Sequence, residues 1–230
     1  MPNSMLLDAA TVGLALKDAA DIWSLADLTL YDLCQEHWGH SDLLEVVAKL
    51  LLIGRAYGVA PERRPNATQF LTDFYRDHLA VALMTSDLDS LLSPLRSTRR
   101  LTDSELPAVL AVHSSLLRIF KSATGHSNRS LASKYLHFHV PDLFPMYDSY
   151  AVKALASWKP RSRPSRAVHG ESDPEYKRFV LKWLDLRDSL EHDHGTLLTP
   201  RQLDRILLGN AGSVRPPEST IRSTTQGGPT

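Results

Sequence analysis

Cysteine is almost missing from this 230-residue chain, where Cys34 stands alone. A single thiol forms no internal disulfide and no multi-thiol metal site, so a reducing compartment, the cytoplasm, is the expected setting, with no cofactor. Its apolar neighbours mark Cys34 as a core residue rather than a nucleophile. Net charge is missing too: 26 Lys plus Arg stand against 26 Asp plus Glu. No global field therefore recruits a nucleic acid or an anionic membrane, and any such partner must meet local patches. No stretch approaches the ~20 apolar residues of a membrane span. The start, Met-Pro-Asn-Ser-Met-Leu-Leu-Asp, lacks the basic opening and apolar core of a signal peptide. Period-two alternation, a glycine-rich phosphate loop and internal repeats are also absent, which leaves an all-α fold.

What is present is helical patterning. Residues 5–38 read as two short helices, or one broken near Ala19 to Asp21. Leu25, Leu28, Leu33 and Trp38 are expected to form much of one face, with Asp21, Asp27 and Asp32 among the polar positions. Gly39 stops the chain and Ser41 can cap the next helix. Residues 42–57 are apolar nearly all round, the pattern of a central covered helix, and deliver Arg55, Tyr57, Glu62, Arg63 and Arg64 to its C-terminal end. Cations there complement the helix dipole without any further role.

Residues 67–92 suit one long or two shorter helices, with Phe70, Phe74, Leu79, Leu83 and Leu88 at core spacing before Pro94. Thr102 and Glu105 have the spacing of a capping box, opening a helix through Val112, Leu116, Leu117 and Phe120 to Gly125. A helix follows over 174–194, and Thr199-Pro200 starts a last one that ends at Gly209. The whole reads as a single compact multi-helix domain over 1–209, with a disordered tail of Ser, Thr, Gly and Pro over 210–230.

Chemistry concentrates in residues 128–155. Pro141 and Pro145 force a helix from about Asn128 to end near His139, and Asp148 stands where the next helix needs a cap. The corner between them can bring the Lys134 amine to the Asp148 carboxylate. A lysine becomes a nucleophile when burial or a polar partner helps to deprotonate it. The rings of Tyr135, Phe138, Phe144 and Tyr147 can supply that burial. Spacing equally allows Asp148 to be an ordinary cap and Lys134 an exposed or paired helix residue. Tyr135, His137, His139, Phe144 and Tyr147 are the candidate substrate-binding residues, with Arg55 or Arg63 entering from the end of the central helix. His137 and His139, with His113 and His126 nearby in sequence, raise a metal site, but positions two apart diverge by about 200° on a helix. Packing or hydrogen bonding is expected of them instead of metal binding. Arg99, Arg100, Arg129 and the Pro-broken loop with Lys159, Arg161 and Arg163 are the candidate contacts to a nucleic-acid backbone.

Ser130-Leu-Ala132-Ser-Lys134 followed by Phe144-Pro-Met-Tyr-Asp148-Ser resembles the core of the helix-hairpin-helix DNA glycosylases, especially the 8-oxoguanine type, over residues 102–156. The resemblance implies Lys134 as Schiff-base nucleophile, Asp148 as the carboxylate that aids sugar attack and proton movement, and DNA as partner. Ser130 and Ala132 stand where that family has paired glycines, and the Lys134–Asp148 linker is shorter than usual there. The whole chain also resembles a set of uncharacterised bacterial proteins sharing a Gly-Arg-x-Tyr helix end, a Ser-Lys-Tyr-Leu-His-Phe-His core and a Leu-Thr-Pro-Arg-Gln-Leu-Asp ending. Arg187-Asp-Ser-Leu-Glu-His192 is similar to the signature of HEPN-type ribonucleases, although five positions turn about 140° round a regular helix. The other alternative to an enzyme is a non-catalytic helical module that binds nucleic acid or protein.

Overall fold

The computed structural model describes Gly13 and residues 22–61, 74–156, 158 and 170–212. Every regular element within them is helical, so the fold is all-α. Expectations for the chain before Ile22, for Glu62, Arg63, Arg64 and Phe70, for Lys159, Arg161 and Arg163, and for the tail beyond Gly212 lie outside the described residues. Among the described residues nine α-helices contribute to one buried core, and no helix is long and apolar enough to cross a membrane.

Helix α1 (Ile22–Glu36) turns a different face inward from the one expected. Leu25 is 67% and Leu28 57% exposed, whereas Asp27, Leu30 and Cys34, at i, i+3 and i+7, are buried. A carboxylate is admitted to this face because Tyr57 and Arg201 pair with it. Cys34 is a core residue as expected, and burial pushes its thiol up to about 12.

Helix α2 (Leu43–Ala56) is capped by Asp42 rather than Ser41, the carboxylate accepting from the amides of Leu44 and Glu45 at 2.8 and 3.0 Å. It packs against α1 and several later elements, as a central helix should. It is not covered all round, since Leu44 is 76% and Leu52 48% exposed. Within it, buried Lys49 donates to the carbonyls of His37 and Gly39 at 2.6 and 2.7 Å, fixing the turn before the helix.

After the gap the chain is more broken than the periodicity suggested: a π-helical Phe74–Ala80, α3 (Val81–Met84), α4 (Leu88–Leu92) and a 3-10 turn Ser93–Leu95. Phe74, Leu79, Leu83 and Leu88 are buried as their spacing required. The helix breaks at Thr85 and Ser86, whose hydroxyls bond back to the carbonyls of Val81 and Leu83 at 2.8 and 2.7 Å in competition with the helical ladder.

Helix α5 (Leu106–Thr124) starts from half of the expected capping box. Glu105 accepts the Thr102 amide at 3.0 Å, but the Thr102 hydroxyl serves the Ser104 amide at 3.3 Å. Gly125 closes the helix at φ 74°, a conformation that glycine adopts without steric cost. Helix α6 (Arg129–His139) packs on α5 and ends at His139, as the two prolines demand. It is the truly enclosed helix, every residue from Leu131 to His139 being buried. α7 (Ser149–Ala156), α8 (Pro174–His194) and α9 (Pro200–Gly212) complete the chain, with α7 packed against both α8 and α9. Thr199 and Gln202 form a complete capping box for α9, Gln202 N reaching Thr199 Oγ1 at 3.2 Å and Thr199 N reaching Gln202 Oε1 at 2.9 Å. The helix runs through Gly209, its expected end, so Asn210 to Gly212 belong to it and not to a tail. One interior glycine costs about 1 kcal/mol, too little to stop a helix by itself.

Candidate active site at the Lys134 corner

Enclosing a helix that carries Ser133, Lys134, His137 and His139 requires a partner for each polar group. The 140–148 corner supplies most of them. The Ser133 hydroxyl donates to the Ser130 carbonyl at 3.0 Å and accepts the Tyr147 amide at 2.9 Å. His137 donates from Nδ1 to the Phe144 carbonyl at 2.9 Å, which leaves Nε2 to accept the Tyr31 hydroxyl at 2.7 Å. From outside, Tyr176 holds the Pro145 carbonyl at 3.0 Å and Gln35 the His139 carbonyl at 3.0 Å. The corner is strapped down at both ends, and its geometry fixes where residues 147 and 148 lie.

They lie over Lys134. Its Nζ donates to the Tyr147 carbonyl at 3.2 Å, stands 3.6 Å from Asp148 Oδ2 and lies 5.7 Å from the centre of the Tyr57 ring. The Lys134 side chain is 3% exposed and that of Asp148 22%. The other Asp148 oxygen caps α7 by accepting the Ala151 amide at 2.8 Å. Both readings of the sequence are therefore realised at once: Asp148 is a cap and also the carboxylate beside a buried amine. Burial pushes Lys134 down from its ordinary value, with Asp148 and Asp204 resisting.

Behind this pair lies a second layer that the sequence reading missed. Arg201, from the first turn of α9, donates from Nε to Asp27 Oδ2 at 2.7 Å and from Nη1 to Asp204 Oδ2 at 2.6 Å. Tyr57, the C-cap residue of α2, donates to the other Asp27 oxygen. Together with the Lys134 pair, three carboxylates face two cations. Asp204 carries the consequence: burial, reinforced by Asp148, raises its carboxyl to about 6 even though Arg201 and Lys134 pull the other way, and its Oδ1 has no hydrogen-bond partner. The signal for these residues was a charge on an apolar stripe. Asp204 shares the buried side of α9 with Leu203, Ile206 and Leu207, as Asp27 shares that of α1 with Leu30 and Cys34.

Several expected site residues belong elsewhere. Tyr135, His137, His139 and Phe144 are at most 1% exposed and serve the core instead of facing a substrate. The hydroxyl of Tyr135 meets His40 Nε2 at 2.8 Å, while His40 Nδ1 meets Asp89 at 2.5 Å. His139 donates from Nδ1 to the Tyr135 carbonyl at 2.7 Å. Tyr147 remains half-buried at the edge of the corner. Arg55 is exposed near the end of α2, and it is Tyr57 from that end that reaches Lys134. Arg129 is no free phosphate ligand: its guanidinium grips Asp173 at 2.6 and 2.9 Å and Glu175 at 2.8 Å, tying α6 to the start of α8. Arg100 is paired with Glu191, and Arg99, its side chain 82% exposed, is 3.7 Å from Asp142. Arg187 is buried and donates to the Leu101 carbonyl at 2.7 Å, whereas His192 is exposed, so the two form no ribonuclease pair within this chain. Among the described residues no group of three or more His, Cys, Asp or Glu is arranged to hold a metal ion.

Comparison with known proteins finds no matching family model, no matching curated protein and no matching solved structure.

Proposed function

We propose that the chain is a DNA glycosylase-like enzyme of the cytoplasm that excises a base through a Schiff base on Lys134. The observation that carries this reading is a buried amine 3.6 Å from the Asp148 carboxylate, on a corner held from both sides. A desolvated lysine spends more of its time neutral, which is the form that attacks carbon. In the proposed step Nζ attacks the sugar C1′ and the C1′–base bond breaks, Asp148 carrying the proton from Nζ to the departing base. Cleavage of the C1′–O4′ bond, with O4′ taking a proton from water, then leaves a protonated imine between Nζ and C1′. Support also comes from the arrangement of α5 and α6, two packed helices joined by a short turn at Gly125 just ahead of the lysine.

Borohydride reduction tests the step, because it converts the imine into a permanent crosslink. With a panel of damaged and undamaged oligonucleotides, the wild-type protein is expected to trap at least one. Lys134→Met, which keeps the apolar stem, is expected to lose all trapping. Asp148→Asn, which caps α7 about as well, should keep the fold and lose trapping as well. Trapping that survives Lys134→Met would remove the lysine from the mechanism.

A different observation favours a second reading, a non-catalytic helical module that binds nucleic acid or protein. Lys134 is only 2% exposed, sealed under the Tyr147 carbonyl and Asp148, and substrate reaches it only if that edge opens. In this reading the charges clamp helices together and no oligonucleotide is ever trapped.

A further inference from the structure

Glu175, Arg178, Phe179 and Lys182 recur at i, i+3, i+4 and i+7, which puts them on one stripe of α8. That stripe faces Tyr147 and the apolar side of α7, including Leu155, across an open cleft of about 180 Å³. The walls are aromatic and aliphatic: Phe179 and Tyr147 pack edge to face, with 5.2 Å between centroids and an interplanar angle of 74°. The charges at its rim do not cancel. Glu175 shares Arg129 with Asp173, at 2.8 Å, and accepts the Tyr147 hydroxyl at 3.3 Å, so one carboxylate stands at the rim against the two cations Arg178 and Lys182. Arg178 and Lys182 make no hydrogen bond or ion pair among the described residues. Among the described residues Arg100, Arg129, Lys134 and Arg201 by contrast all face carboxylates.

Two uncompensated cations above a ring-lined floor complement a planar group joined to an anion. The size limits the choice further, since sites for whole cofactors occupy roughly 300–1,000 Å³. A single base fits that limit, with its sugar and phosphate left at the open rim. We propose that the cleft seats a single unpaired nucleotide of a nucleic-acid strand, its base against Tyr147 and its phosphate on Arg178 and Lys182. The choice of a nucleic acid rests on the function proposed above, and Tyr147 links the two places: its ring lines the cleft while its carbonyl holds the Lys134 amine at 3.2 Å. The residue next to the amine would thus feel the occupancy of the cleft.

Fluorescence anisotropy with an end-labelled single-stranded oligo-dT, titrated at several NaCl concentrations, tests the assignment without using activity. The wild-type protein is expected to bind, with affinity falling as salt rises. Arg178→Glu with Lys182→Glu should weaken binding at least tenfold and make the log–log salt slope shallower by about 1.4, at ~0.7 per lost single-strand phosphate contact. The neutral pair Arg178→Gln with Lys182→Gln should fall between the two, with unchanged thermal melting, because neither side chain is buried. A wild-type protein that binds no strand overturns the proposal, as does a charge-reversed protein with wild-type affinity and slope. Charge-dependent binding without borohydride trapping would uphold the cleft and defeat the enzyme, whereas trapping indifferent to the charge reversal would do the opposite.

Discussion

Replacing Arg201 with Met is expected to lower the free energy of unfolding by about 3–5 kcal/mol, the usual cost of removing one partner from a buried ion pair. For a chain of this size the melting temperature should drop on the order of 10 °C. The Arg201 side chain is 18% exposed and serves Asp27 and Asp204, whose side chains are 6% and 5% exposed. Without it, Asp27 keeps only the Tyr57 hydroxyl, and Asp204, one of whose oxygens is already unpartnered, loses its nearest cation. The damage should spread from α9 to α7, because these helices pack on each other and α7 carries Asp148 at its cap. Combining Arg201→Met with Asp27→Asn and Asp204→Asn should recover much of the loss, since replacing a whole buried network is far cheaper than breaking it. Urea denaturation at pH 7.5 measures both. A single variant within about 1 kcal/mol of wild type would show that the network contributes little to holding α9.

The corner and its cap were legible because they depend on local rules. Pro141 and Pro145 break a helix wherever the chain goes, and an Asp at the start of a helix accepts the same amides in any fold. The inward face of α1 was not legible, because its choice depends on Arg201, 174 positions away, neutralising Asp27. The enclosure of α6 was hidden for a related reason. A helix carrying a lysine and two histidines reads as partly exposed until the corner carbonyls and the Tyr31 hydroxyl are known to meet them. The Lys134–Asp148 pair itself followed from the geometry of a helix, a proline corner and a cap. Its second layer did not, since it joins Arg201 and Asp204 on α9 to Asp27 on α1, a pairing across 174 positions that no local pattern announces. Arg129 misled in the opposite direction: at the start of a helix beside the expected site it looked available, and Asp173, 44 positions on, takes it.

Acid should begin to destabilise this protein as pH falls below about 6.5, the ordinary histidine value. Burial pushes His113 and His137 down from their ordinary 6.5 to about 3, and lowers His139 and His40 as well. A histidine whose folded value is depressed stays neutral in the native state while the unfolded chain takes up a proton below pH 6.5. Its contribution to stability is thus complete above pH 6.5 and is lost as pH falls from there toward the folded value. Between pH 7.5 and 5.5 His113 and His137 together should remove about 3 kcal/mol, and His139 and His40 act in the same direction. Asp204 opposes them. Its raised carboxyl binds a proton in the native state between about 4 and about 6, so it adds stability as pH falls through 6, about 1 kcal/mol by pH 5.5. The histidines prevail because there are more of them and their shifts are larger. His113 allows a clean test: it stacks on Tyr176 with centroids 3.6 Å apart, and neither ring nitrogen makes a hydrogen bond, although the Arg129 backbone lies near enough to favour the charged form. His113→Phe keeps a planar ring on Tyr176 and should be at least as stable as wild type at pH 7.5. Its advantage should grow by about 1.4 kcal/mol on going to pH 5.5, because one proton has been removed from the linkage. Urea midpoints at pH 7.5, 6.5 and 5.5 give both slopes; parallel slopes for the two proteins would mean that His113 is not held neutral by the core.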